Sequence, residues 1–235
     1  MFRLFLTPEW FARLDIAFSV IGIVVALLVA GYSFRMYRIN KENKYAYFSF
    51  AFILVSFSFF SQIMTNSILN FTPVRDVAAD VLRPLAGERL SLSSIFYRLG
   101  FFAQMVSMLA AWLLIFFISQ KPRQRLRKYY EVSQIALFIY LVLLVSVVSN
   151  FKYFVFYLTS AVLLGLITLN YYKNYLNTNK NARAFNVMLS FLFILAGNVA
   201  LVFVFLSQML YVIGEGLILI GFLQLLYTYY SVTRK

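Results

Sequence analysis

The 235-residue chain has no cysteine, no histidine, four prolines and eight acids. Without cysteine there is no disulfide, no thiolate nucleophile, no cysteine-held zinc and no iron–sulfur cluster. Without histidine there is no imidazole acid–base catalyst, no histidine-ligated haem and no histidine–carboxylate metal site. A serine nucleophile would need a base, and no lysine lies inside an apolar run to act as one. The same shortage of buried lysine excludes a retinal Schiff base. The acids are scattered; Asp76 and Asp80 sit one turn apart, but Arg75 and Arg83 stand beside them. The chain is therefore expected to be no enzyme and to carry no metal or cofactor.

Charge is scarce too, at 12% of residues against 63% hydrophobic. A water-soluble surface needs more than that. What fills the chain instead is seven charge-free runs, 16–34, 45–74, 99–120, 132–151, 153–172, 184–214 and 216–233, covering about two-thirds of it. Crossing hydrocarbon takes roughly 20 residues of helix. The runs predict an all-α polytopic membrane protein, multi-pass in the cell membrane, in which 1–235 form a single seven-helix domain. The expected spans are 14–34, 46–68, 98–119, 132–150, 153–172, 185–207 and 211–231.

The net charge of +13 follows from helix ends. Links after the first, third and fifth spans, with Arg234 and Lys235, hold 14 cations; the opposite side holds 7. The richer side is cytoplasmic, which puts the N-terminus outside and the C-terminus in the cytoplasm. These cations meet lipid headgroups, and no nucleic-acid partner is expected. Tyr45, Tyr47, Tyr171, Tyr172, Tyr229 and Tyr230 fall at cytoplasmic span ends and Tyr153, Tyr157 and Tyr211 at outer ones, as interfacial anchors.

The outer connection 70–97 is long enough for structure of its own. Thr72 and Pro73 can open a short amphipathic helix that ends before Pro84. Similar text follows the first and fifth spans (Asn40-Lys41-Glu42-Asn43-Lys44 and Asn177-Thr178-Asn179-Lys180-Asn181), so spans 1–3 can be a parallel repeat of spans 5–7 in a 3+1+3 arrangement. Chance likeness among Phe- and Leu-rich helices competes with that reading. Small residues offer close helix contacts at Gly22, Ala26 and Ala30, at Ala103, Ser107 and Ala111, at Ala161 and Gly165, and at Ala196 and Ala200. All prolines lie outside the spans. The segment that could interrupt a helix is Gly214-Glu215-Gly216.

Ionisable groups inside a membrane are costly unless they pair, stay protonated or face water. Glu215, Asp15 and Arg98 share the outer side, as a structural ion pair or as the floor of a polar cavity. Gln62 and Asn66, one turn apart, and Gln104 and Asn198 lie deeper; such amides act as interhelical hydrogen-bond glue or as ligand contacts. On the cytoplasmic side Lys121, Arg123, Arg125, Arg127 and Lys128 form a cluster suited to anionic lipid or an acidic partner. Two functions fit. One is a non-catalytic membrane subunit or receptor-like module that packs with a membrane partner, or with itself, or binds a small or lipidic ligand. The other is a small-solute transporter or channel with a polar site near the outer side. A continuous polar path favours transport, and a dry core the subunit.

Overall fold

The computed structural model describes residues 8, 10–70, 92–120, 137, 140, 141, 144 and 153–233. The described residues are helical and contain no strand. Six helices account for nearly all of them: α1 (Ala12–Asn40), α2 (Asn43–Asn70), α3 (Leu92–Ser119), α4 (Tyr153–Asn177), α5 (Ala182–Val202) and α6 (Met209–Thr233). Each contains a stretch long and apolar enough to cross a bilayer. This is a multi-pass membrane protein by its helices. Six of the seven expected spans correspond to them. The fourth, 132–150, lies outside the described residues except for 137, 140, 141 and 144, which are helical. The short helix expected within 70–97 falls outside them as well.

Several helices run past their expected ends. α1 continues to Asn40, where Lys41 takes a left-handed φ of 55° and returns its N–H to the Tyr37 carbonyl. α4 continues to Asn177 and closes through Asn179 and Lys180, both left-handed, with Lys180 N–H on the Tyr175 carbonyl. Asn181 then caps α5, its side chain accepting from Arg183 N–H at 2.9 Å. At the other end α5 stops at Val202, short of the expected 207, and a turn through Phe203–Leu206 leads to α6.

The helices close a ring. α1 packs on α2, α2 on α3, α3 on α4, α4 on α5, α5 on α6 and α6 on α1. Exchanging α1–α3 with α4–α6 leaves this contact pattern unchanged. α3 and α4 run parallel: Phe101 near the start of α3 meets Tyr153 at the start of α4, while Asn170 donates to Ser119 at their far ends. The chain thus leaves α3 at one end of the bundle and enters α4 at the other.

Aromatic side chains fill the ring. Phe222 of α6 sits edge-on to Phe52 and Phe59 of α2, with centroids 6.1 and 5.8 Å away, and stacks against Trp112 of α3 at 6.4 Å. Phe52, Trp112 and Phe222 are almost wholly buried. Outward faces carry exposed apolar residues such as Val24, Phe57, Leu158 and Ile220, as lipid contact requires.

α5 and α6 approach each other closely, and glycine makes this so. A methyl on Gly197 would sit 2.6 Å from the Gly214 carbonyl oxygen, and one on Gly221 would sit 2.7 Å from the Ser190 carbonyl oxygen. The small-residue seam of α5 is therefore Gly197, whereas Ala196 is exposed. Gly214 does not interrupt α6, which is helical throughout; it is the partner of Gly197. Gly165 has open space where its side chain would be and makes no such seam.

Candidate functional site

Two polar regions lie at opposite ends of the ring. The first gathers side chains from five helices, near the starts of α1, α3, α4 and α6 and toward the end of α2. Asp15, 4% exposed, accepts from Tyr211 Oη at 2.8 Å and from Asn66 Nδ2 at 3.1 Å. These bonds tie α1 to α6 and to α2. One turn along α2, Gln62 Oε1 accepts from Gln104 Nε2 at 3.3 Å, and Gln104 Oε1 accepts from Tyr153 Oη at 3.0 Å. That chain of amides joins α2, α3 and α4. Gln62 Nε2 is buried with no hydrogen-bond partner among the described residues.

Glu215 is buried one turn after Tyr211, near enough to Asp15 for the two carboxyl groups to act on each other electrostatically. Arg98 is exposed and does not share their burial. Of the expected outer trio, two acids come together in the bundle and the arginine stays on its surface. Asn198 is buried on α5, but its Nδ2 donates to the Ile194 carbonyl of its own helix at 2.9 Å. It caps a local backbone group and joins no other helix through that bond. Lys121, Arg123, Arg125, Arg127 and Lys128 lie outside the described residues.

Sequence reasoning placed Tyr153 and Tyr211 only as interfacial anchors. Each is buried and each supplies the hydroxyl that completes the outer network. The signal was present in their position: a Tyr at the outer end of a span, level with an acid or amide on a neighbouring one.

The second region is a cavity of about 310 Å³ at the basic end, among the ends of α1, α4 and α6 and the starts of α2 and α5. Tyr45, Tyr171, Tyr229 and Val187 are among its walls, with Asn174, Asn181 and Arg183 contributing the polar ones. Sequence reading named none of these as a site. Around it stand Arg35, Arg38, Lys41, Lys44, Lys173, Lys180 and Arg183, against Glu42, the one acid described at this end, which pairs with Lys44.

Between the regions lies the aromatic layer. On α6, Phe222 is about 10 Å from Glu215 and about 9 Å from Thr228, which lines the cavity, taking 1.5 Å per residue. No family model matches the chain, and no curated protein or solved structure shows a significant match to it.

Proposed function

We propose that this chain is a non-catalytic, receptor-like membrane module that binds a small or lipidic ligand and transmits its occupancy to a membrane partner. The observation that carries the reading is the buried aromatic cluster in which Phe222 meets Phe52, Phe59 and Trp112 between the two polar regions. A channel needs a continuous wet path, and a solute crossing here would have to part four large rings. The six described helices agree, since among the described residues no freed backbone groups are offered at mid-depth to hold a solute. The apolar outer faces supply the surface on which lipid, a partner or a second copy packs.

The finer topology belongs to the same proposal. Parallel α3 and α4 support a return crossing by 132–150, hence seven spans, and the cations gathered at one end support a cytoplasmic C-terminus and an outer N-terminus in the cell membrane. The exchange-invariant ring supports duplication of a three-helix unit. Purification in mild detergent tests the function: a stoichiometric membrane partner should co-purify, and a lone protein with full activity would sink the reading.

A second reading, small-solute transport, is favoured by one feature. The basic-end cavity has a mouth while the opposite end is laced shut by the Asp15 and Gln104 hydrogen bonds, as in one state of a two-state carrier. Saturable solute uptake by liposomes containing only this chain would establish that reading over the first.

A further inference from the structure

We infer that the basic-end cavity is a binding site for a phosphate monoester carrying an apolar group. The cavity, about 310 Å³, is at the small end of the range that ligand sites occupy. Its walls divide by chemistry. Tyr171, Tyr229, Val187 and Val232 give an apolar body, and Arg183, Asn174 and Asn181, all three exposed, give donors. A ligand that fits must be apolar at one end and anionic at the other. Arg183 offers a planar fork that grips two oxygens of a phosphate at once.

The surrounding field selects the same charge. Seven described cations stand at this end, and Glu42, the one described acid there, is engaged by Lys44. Among the described residues no acceptor engages the Arg183 guanidinium; the hydrogen bond from Arg183 to Asn181 uses its backbone N–H. A dianionic phosphate gains more from this field than a carboxylate does, and it has oxygens for both the fork and the amides. The cavity also touches both halves of the ring, Met36 and Tyr45 on one side and Tyr171, Val187 and Tyr229 on the other. Occupancy there can set the spacing of the halves. The inference deepens the receptor-like reading and rests on it for its consequence, whereas binding itself is measured on the isolated chain.

The ligand can come from a lipid headgroup or from a soluble organic phosphate. Purified protein in a neutral detergent is titrated with lysophosphatidic acid, phenyl phosphate and inorganic phosphate, with bound ligand counted by native mass spectrometry. Saturable one-to-one binding of lysophosphatidic acid alone would assign a lipid, and binding of phenyl phosphate would assign a soluble source. In either case Arg183→Ala should weaken binding about ten-fold, the size of one charge-assisted hydrogen bond. Ala184→Trp, which fills the cavity from its wall, should abolish it. Lys173→Ala, an exposed cation at the same end that does not line the cavity, should change it less than about two-fold. Equal weakening by Lys173→Ala, undiminished binding in Ala184→Trp, inorganic phosphate binding as tightly as either ester, or no saturable binding would each overturn the inference. Co-purification of a partner or solute uptake does not bear on these outcomes, so failure of the receptor reading is seen separately.

Discussion

Replacing Gly197 by alanine tests the packing that holds α5 against α6. The new methyl would sit 2.6 Å from both the Gly214 carbonyl oxygen and Ile218 Cγ1. A carbon–oxygen contact settles near 3.3 Å, so the helices must separate by about 0.7 Å. Overpacking of that kind costs about 1–3 kcal/mol. Against it stands the gain in helix propensity from glycine to alanine, about 0.5–1 kcal/mol. Gly216→Ala serves as the reference, because no heavy atom lies within 4 Å of its methyl position. It collects the propensity gain without the clash. The difference between the two variants therefore isolates the contact and should be about 1–3 kcal/mol, Gly197→Ala being the less stable. Reversible unfolding in mixed micelles, titrated with sodium dodecyl sulfate, reads the difference directly. Equal stability of the two variants would refute the close approach of α5 and α6.

Three further outcomes follow from the interior. Asp15→Ala strands the Tyr211 hydroxyl and the Asn66 amide and should cost about 1–3 kcal/mol in the same unfolding measurement, with Asp15→Asn, which keeps one acceptor, losing less. Phe222→Ala should cost about 3–5 kcal/mol because it empties the centre of the aromatic layer, whereas Phe205→Ala, 60% exposed, should change stability by less than about 0.5 kcal/mol. Glu215→Gln removes one of two neighbouring buried carboxyls and should raise the thermal midpoint at neutral pH by about 2–4 °C, the shift that roughly 1 kcal/mol gives a chain of this size. A lowered midpoint would mean that the Glu215 carboxylate holds a partner which the amide cannot.

The helices were legible in the sequence because charge is expelled from hydrocarbon, and the gaps between Arg35, Lys44, Arg98, Lys121, Lys152, Lys173 and Arg183 mark most of the span ends. Which face of each helix points inward was not. Both faces are apolar, so the period that betrays an amphipathic helix is absent, and Ala196 looked as good a contact as Gly197. Asp15, Asn66, Gln62 and Gln104 were visible as residues that need partners. Their pairing was not, since Asp15 and Tyr211 are separated by almost the whole chain and only the closed ring brings them together. The basic-end cavity was hidden for a related reason. Its polar wall comes from segments beyond the apolar runs, where Asn174, Asn181 and Arg183 read as ordinary turn residues and anchors.

The separation of the two compartments can be tested with a single thiol, because the chain has no cysteine of its own. Val187→Cys places that thiol in the wall of the basic-end cavity. In sealed vesicles of known orientation, a membrane-impermeant maleimide should label it from the cytoplasmic face and leave it untouched from the outer face. Labelling from the outer face, or from both, would contradict the sealed, receptor-like bundle.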